Sequence, residues 1–242
     1  MDYEETFALV AKINSIRILL SLAANQDWPL HQFDVKNAFL HGDLDEEVYM
    51  DIPPGFEDSK TDGKVCKLKR ALYGLKQSPR VWFERFTQAM LQFGYRQSHA
   101  DHTLFIKHSL QGKITALIVY VDDIVLTGDD LEEMGRLKKQ LATEFEIKDL
   151  GTLKFFLGIE LARSKHGIFI SQRKYVLDLL KETGMLGSKT CDTPMEQNQK
   201  LGDDNSGEFV DRGSYQRLVG KLIYLSHTRP DKIGRASCRE RV

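Results

Sequence analysis

Residues 119–125 read VYVDDIV, and this run constrains the fold more than any other because it places two adjacent carboxylates within an apolar, β-branched stretch. In one continuous strand Asp122 and Asp123 would point to opposite sides of the sheet, and a buried carboxylate without a partner is costly or stays protonated. We therefore predict a hairpin in which Ile114–Val121 and Ile124–Thr127 are the strands and both acids lie at the turn. Because acids are common turn residues, the pattern alone leaves a purely structural role open.

The overall composition is that of an ordinary globular protein. The 242 residues are 41% hydrophobic and 29% charged, and they are sufficient for one large domain or two small ones. No apolar run reaches the length of a membrane span, and three cysteines without a CxxC pair predict reduced thiols in an intracellular setting. The net charge is −1, but an acidic block at 43–58 precedes a basic block at 64–96. The basic block is either a solvated surface or a face for a negatively charged partner.

Hydrophobic periodicity and breaker residues predict a mixture of helices and strands. Helices are predicted over residues 7–24, 79–93, 129–145, 172–182 and 214–226. Strands are predicted over residues 30–35, 103–107, 153–163 and 168–170, in addition to the hairpin. Trp82 and Phe86 lie four residues apart on the second helix, so we expect both in the core. The mixture predicts an α+β fold with an antiparallel sheet, and the polar stretch 187–208 is the predicted hinge or subdomain boundary.

A third acid occupies the same kind of position as the pair. Asp34 lies near the end of the strand predicted over LHQFDV, directly after an apolar residue. Three carboxylates at two strand ends can converge on one or two divalent cations, and Mg²⁺ prefers oxygen ligands supplied by carboxylates and substrate phosphates. Two such ions about 4 Å apart can hold the attacking and leaving oxygens of a displacement at phosphorus. The three acids are therefore candidates to hold one or two divalent cations for phosphoryl chemistry.

Five segments, in order, resemble the reverse transcriptases of Ty1/copia-type retrotransposons. Tyr120–Asp123 resembles the YxDD box, and Gln32–Phe39 resembles the first catalytic motif of the same enzymes. LYGLKQSPRVW at Leu72–Trp82 resembles a box typical of the Ty1/copia class. FLGIE at Phe156–Glu160 resembles the primer-grip segment, and Leu218–Asp231 resembles the stretch before the ribonuclease H region. YxDD alone is a weak signal, whereas five boxes in this order are specific.

The resemblance implies the fold of a right-hand polymerase: a palm, made of an antiparallel sheet with helices on one face, with partial fingers and a helical thumb. It implies a palm with partial fingers over residues 1–164 and a thumb or connection-like region over 165–231. Residues 232–242 are basic and non-periodic, and we expect them to be a non-native tail. We also expect the upstream fingers segment, and the protease, integrase and ribonuclease H of a larger Pol polyprotein, to be absent from this chain. The implied location is the cytoplasm, within virus-like particles, with a nuclear phase.

The resemblance also implies the catalytic residues and the cofactor. Asp34 and Asp122 would ligate two Mg²⁺ (or Mn²⁺) ions, and Asp123 would be a weaker ligand. The implied reaction joins a dNTP to the 3′-hydroxyl of a DNA primer on an RNA template. Lys148 would lie near the pyrophosphate leaving group.

Further roles are implied for residues that contact the nucleotide. Phe39 would be an aromatic gate beneath the sugar that excludes a 2′-hydroxyl, although a core position explains it equally well from the sequence alone. Asn37 and Ala38 would offer backbone N–H groups to the triphosphate. Gly74 would permit close approach of the loop to the nucleotide, and Lys76 would contact phosphate.

A second group of residues would contact the nucleic acid. Arg80 lies within the basic block and would contact the phosphate backbone. The primer grip would be formed by Leu157, Gly158 and Ile159.

Two other functions remain open. One is a non-catalytic retrotransposon-derived remnant that folds and binds nucleic acid. The other is a two-metal phosphodiesterase or nuclease, which we rank last because it has no use for Phe39 or the LYGLKQSPR segment.

Overall fold

The computed structural model of the chain describes residues 11–56, 63–190 and 211–228. The helices are α1 (Ile13–Asn25), α2 (Ser78–Gln92), α3 (Leu131–Glu144), α4 (Arg173–Glu182) and α5 (Arg212–Thr228), with a short 3-10 helix at Ala38–His41. The strands are β1 (Leu30–Val35), β2 (Tyr49–Met50), β3 (Cys66–Lys67), β4 (Arg96–Gln97), β5 (Leu104–His108), β6 (Ile114–Tyr120), β7 (Asp123–Gly128), β8 (Ile147–Thr152), β9 (Phe155–Phe156), β10 (Ile159–Ser164) and β11 (Gly167–Ser171).

A six-stranded antiparallel sheet forms the centre of the first part of the chain. Its strand order is β4-β5-β6-β7-β1-β8, so the N-terminal strand β1 lies between two strands that come much later in the sequence. β5, β6 and β7 follow one another through tight turns, whereas β1 pairs with β7 on one side and β8 on the other. This insertion brings the end of β1 beside the turn between β6 and β7.

The main hydrophobic core lies between one face of this sheet and helices α2 and α3. Trp82 and Phe86 of α2 are almost completely buried there, which confirms the prediction made from their spacing. Phe33 and Val35 of β1 belong to the same core. Because side chains alternate along a strand, Asp34 projects from the opposite face of the sheet.

The helix ends follow from local sequence signals. Pro79 lies in the first turn of α2, where its missing N–H costs no hydrogen bond. At the start of α3 the Asp130 carboxylate accepts a hydrogen bond from the Glu133 N–H, and Glu132 adds negative charge to the same turn. Gly94, which follows α2, has φ +84°, a conformation that favours glycine.

Most predicted elements are confirmed, but the short strands β2, β3 and β4 were not predicted, and other details also differ. The helix predicted from residue 7 begins at Ile13 within the described residues, and residues 7–10 lie outside them. The single strand predicted over 153–163 is wrong, because Leu157 and Gly158 both have positive φ and form a turn between β9 and β10. The sequence pattern also missed β8, whose residues are mostly exposed and therefore lack an apolar signal.

The structure divides into two compact units. Among the described residues, the first runs to Lys154 and includes Arg163–Ile168, and the second comprises Phe155–Ala162 and those from Phe169 onward. In the second unit the Tyr175 and Tyr224 rings lie 5.2 Å apart, which joins α4 to α5. Most of the predicted hinge at 187–208 lies outside the described residues. Within the described ranges, none of the helices has both the length and the apolar character needed to cross a membrane.

Candidate active site

The predicted hairpin forms, with one acid in the turn and one in a strand. β6 ends at Tyr120 and β7 begins at Asp123, so Val121 and Asp122 alone form the turn. The expectation that both acids lie at the turn is therefore corrected for Asp123. Asp123 pairs with Tyr120 on one side and directly with Asp34 of β1 on the other.

The register of the sheet brings the three predicted acids together. Asp34 and Asp123 are directly opposite each other on neighbouring antiparallel strands, and residues paired in this way share one face of the sheet. The Val35 N–H donates a hydrogen bond to the Asp122 carbonyl oxygen, with an N···O distance of 2.8 Å. The turn that carries Asp122 is thus attached to the residue that follows Asp34.

The surroundings of Asp123, including the charges of Asp122 and Asp34, change the pKa of its carboxyl group. Partial burial raises the pKa of Asp123, and the nearby charges of Asp122 and Asp34 raise it further. The side-chain N–H of Gln32 donates to Asp123 Oδ1 at 3.1 Å, which opposes the rise in the pKa. A cation bound among these carboxylates would remove the repulsion that raises the pKa.

The chemistry of these side chains fits a hard divalent cation. Among the residues that the structure describes, no group of three or more His, Cys, Asp or Glu side chains is arranged so that it could hold a metal ion. Mg²⁺ commonly binds through one or two carboxylates and completes its shell with water and substrate phosphates. Asp34 and Asp123, paired on neighbouring strands, are two carboxylates of this kind, and Asp122 lies in the adjoining turn.

An aromatic pair lies next to the acids. The ring of Phe39, in the 3-10 helix after β1, lies 4.5 Å from the ring of Tyr73 between centroids. Phe39 is partly buried and packs against the core, whereas the Tyr73 side chain is 56% exposed. Partial burial raises the pKa of the Tyr73 hydroxyl, as do the charges of Asp122 and Asp34. A backbone hydrogen bond from Ala38 to this hydroxyl opposes that rise.

The loop that precedes α2 is held close to the helix. The Ser78 hydroxyl donates to the Leu72 carbonyl oxygen at 2.6 Å, which closes the loop. Gly74 has φ +95°, and a Cβ built there would meet nothing within 4 Å, so the backbone conformation rather than crowding favours glycine. Lys76 is exposed on this loop. Asn37, between β1 and the 3-10 helix, is exposed and adopts the left-handed conformation with φ +51°.

Two predicted basic residues lie in different surroundings. Lys148 of β8 is directly opposite Asp34 of β1 and shares a face of the sheet with it. Arg80, in the first turn of α2, forms an exposed ion pair with Glu84 at 2.9 Å. Lys148 thus lies beside Asp34, whereas Arg80 is paired with Glu84 of its own helix.

The predicted primer-grip residues belong to the second unit. Leu157 and Gly158 form the turn between β9 and β10, and Ile159 is buried. The Tyr224 hydroxyl donates to the Leu157 carbonyl oxygen. A Cβ at Gly158 would lie 3.4 Å from the Tyr175 ring, so the turn packs closely against the tyrosines.

Sequence reasoning missed three residues that build this site. Gln32 was not singled out, although its position two residues before Asp34 on a strand places it on the same face. Tyr73 lies within a loop that was predicted to line the nucleotide, but its contact with Phe39 joins segments far apart in sequence. Trp82 was assigned to the core alone, yet its indole N–H donates to the Val121 carbonyl oxygen at 2.7 Å. A buried indole N–H needs an acceptor, and the sequence does not reveal which one.

Comparison with known protein families identifies the class. Residues 1–197 match the family described as reverse transcriptase (RNA-dependent DNA polymerase), and the chain belongs to this family.

The chain also resembles Pol polyproteins of Ty1/copia-type transposons, which confirms the resemblance seen in the five segments. It is 44% identical over 232 residues to the retrovirus-related Pol polyprotein from transposon RE1 of Arabidopsis thaliana, covering 96% of this chain and 16% of that protein. It is 38% identical over 240 residues to the corresponding protein from transposon TNT 1-94 of Nicotiana tabacum, covering 96% and 18%. The putative transposon Ty5-1 protein of Saccharomyces cerevisiae is 32% identical over 200 residues, covering 82% and 65%. The chain thus spans about a sixth of the length of the plant Pol polyproteins that it resembles.

Proposed function

We propose that this chain is the RNA-directed DNA polymerase part of a Ty1/copia-like Pol polyprotein. Its substrates would be an RNA template, a DNA primer and dNTPs. One observation carries the proposal: Asp34 and Asp123 are paired on neighbouring strands, with Asp122 in the adjoining turn. In a chain of the reverse transcriptase family, this cluster of acids fits nucleotidyl transfer to a primer 3′-hydroxyl.

The three acids would share the work of the reaction. Asp34 and Asp122 would hold two Mg²⁺ or Mn²⁺ ions, and Asp123, fixed by Gln32, would contribute a weaker interaction. Bound ions would stabilise negative charge on the attacking and leaving oxygens. The primer 3′-oxygen would form a bond to the α-phosphorus as the bond to pyrophosphate breaks, and the hydroxyl proton would pass to water. Lys148, directly opposite Asp34, would balance the charge on the departing pyrophosphate.

The aromatic pair would select the sugar. We propose that Phe39 lies beneath the deoxyribose and leaves no space for a 2′-hydroxyl. Tyr73 packs on Phe39 and would restrict its movement. The Ala38 N–H bonds to the Tyr73 hydroxyl, so a triphosphate oxygen would take the place of that hydroxyl when dNTP binds. Asn37 and Gly74 are exposed residues and would line the same space.

The nucleic acid would follow the basic surface. Lys76 and Arg80 are exposed near the start of α2, and we propose that both contact template or primer phosphates. Leu157, Gly158 and Ile159 would contact the primer. In this proposal the six-stranded sheet belongs to a polymerase palm with partial fingers, and the region from 165 to 231 acts as a thumb. The larger polyprotein would supply the protease, integrase and ribonuclease H, and it would work in cytoplasmic particles with a nuclear phase.

The test is dNTP incorporation by this chain on an RNA template with a DNA primer, with Mg²⁺ or Mn²⁺. Incorporation that disappears in Asp122→Asn, with the variant still folded, supports the proposal. A folded wild-type chain that binds primer–template without extending it would instead support the non-catalytic alternative. Cleavage of the template without synthesis would support a nuclease.

A further inference from the structure

The turn that carries Asp122 has an unfavourable backbone conformation. Val121 is its first residue and has φ +55°. Two-residue hairpin turns with positive φ normally use Gly, Asn or Asp at such positions. A β-branched residue with positive φ is a steric outlier, so other contacts must maintain this conformation.

Both carbonyl groups of the turn are held by hydrogen bonds from elsewhere in the same unit. The Asp122 carbonyl accepts from the Val35 N–H at 2.8 Å, which links the turn to β1. The Val121 carbonyl accepts from the Trp82 indole N–H at 2.7 Å, which links the turn to α2. The turn is therefore attached both to the strand that bears Asp34 and to the helix behind the sheet.

The donor on α2 is rigid. Trp82 is 1% exposed, and its ring lies 5.6 Å from Phe86 and 5.2 Å from Phe145 between centroids. A side chain packed in this way has little rotational freedom, so its N–H stays directed at one point. Phenylalanine at the same position would preserve an aromatic ring but would lack the donor.

We propose that Trp82 is a positioning residue for the candidate metal site: its indole N–H holds the Val121 carbonyl and so fixes the turn that presents Asp122 to the cations and substrate phosphates. This inference rests on the proposed function. Trp82 itself touches neither substrate nor metal. It acts through the backbone of the residue before Asp122.

A simpler explanation is that Trp82 is a core residue whose N–H takes the nearest acceptor. That explanation predicts that losing the N–H lowers stability and leaves metal affinity unchanged. The positioning role predicts weaker metal binding even in a variant that is fully folded. Metal affinity therefore separates the two explanations.

The experiment measures Mn²⁺ binding by electron paramagnetic resonance in the full 242-residue chain. The variants are Trp82→Phe, Asp122→Asn and the control Phe105→Leu. Phe105 is fully buried in the same core and contacts Phe86, so its truncation perturbs packing without removing the hydrogen bond. We expect Trp82→Phe to weaken Mn²⁺ binding by about five- to tenfold, the usual net value of one hydrogen bond. Phe105→Leu should change the affinity by less than about twofold.

The outcomes separate this inference from the proposed function. If Asp122→Asn abolishes binding while folded Trp82→Phe binds like wild type, the positioning role is overturned and the metal site stands. An equal loss in Phe105→Leu overturns it too, because core packing would then be the cause. If Asp122→Asn binds Mn²⁺ normally, the proposed metal site is refuted, and this inference with it.

A second measurement needs no core variant. The chain has two tryptophans, Trp28 and Trp82, so its ¹⁵N spectrum contains two indole N–H signals. Saturating Mg²⁺ should shift the Trp82 signal and leave that of Trp28 in place. If the chain binds Mg²⁺ and the Trp82 signal does not move, the proposed link between the Trp82 hydrogen bond and the metal site is wrong. This result would stand even if Trp82→Phe does not fold.

Discussion

Replacing Phe39 by alanine should allow ribonucleotides into the site. The Phe39 ring is partly buried against the core and lies 4.5 Å from the Tyr73 ring. Alanine would remove the whole ring and open space beside Tyr73. The proposed gate acts by steric exclusion alone, so the vacated volume should accommodate a 2′-hydroxyl.

The expected change follows from the size of such steric selection. Small differences in the fit of a substrate group to a pocket are worth about 1–3 kcal/mol, or roughly 10- to 200-fold. We therefore expect the ratio of kcat/KM for dNTP over rNTP to fall by about that factor. The variant should also be less stable. A Phe→Ala substitution at a fully buried position lowers the free energy of unfolding by about 3–5 kcal/mol, and because Phe39 is only partly buried we expect a loss of about 2 kcal/mol.

The assay compares single-nucleotide incorporation of a dNTP and the matching rNTP on one primer–template. Phe83→Ala is the matched control, because Phe83 is also a partly buried aromatic packed against the same core. Its ring lies 6.4 Å from that of Phe105 between centroids. Phe83→Ala should lose stability and keep its sugar preference. An unchanged preference in Phe39→Ala, or an equal change in both variants, would show that Phe39 is a core residue rather than a gate.

Three further predictions concern charge. Asp122→Asn should reduce nucleotide incorporation to background while circular dichroism shows an unchanged fold; normal synthesis would refute the metal assignment. Because the pKa of Asp123 is raised in the folded state, wild type should lose stability as pH rises from the ordinary aspartate value of 3.8 to the raised one. Asp123→Asn lacks this titration. Its free energy of unfolding, measured in urea without divalent cations, should therefore be higher than that of wild type near pH 7, and the difference should disappear in acid. If the difference in the free energy of unfolding between Asp123→Asn and wild type were the same at all pH values, the raised pKa of Asp123 could not be its cause. Neutralising Lys76 and Arg80 together should reduce the slope of log K against log salt for primer–template binding by about 1.4–1.8, and an unchanged slope would place the phosphate contacts elsewhere.

The sequence alone determined the elements whose signals are local. The two acids within the apolar run around VYVDDIV predicted a hairpin, because a buried carboxylate in mid-strand is too costly, and β6 and β7 form it. Helices α2 and α3 were predictable because periodicity and start signals lie within each segment. The ordered boxes identified the family, since each consists of consecutive residues.

Other features depended on contacts between distant segments, which no local pattern encodes. The insertion of β1 between β7 and β8 pairs Asp34 with Asp123 on one side and with Lys148 on the other. The mostly exposed β8 carries no apolar signal, because it depends on its neighbour for hydrogen bonds rather than on burial.

The partner of each polar group was also decided by tertiary structure. The acceptor of the Trp82 indole and the donor to Asp123 are set by how helix and strands pack, across 39 and 91 residues of sequence. The sequence thus named the three acids and the strands that carry them. Only the assembled sheet determined which of these strands are paired, which neighbours raise the pKa of Asp123 and which side chain holds the turn that carries Asp122. The physical reason is that residue type and periodicity are local properties, whereas strand register and side-chain pairing result from the packing of the whole unit.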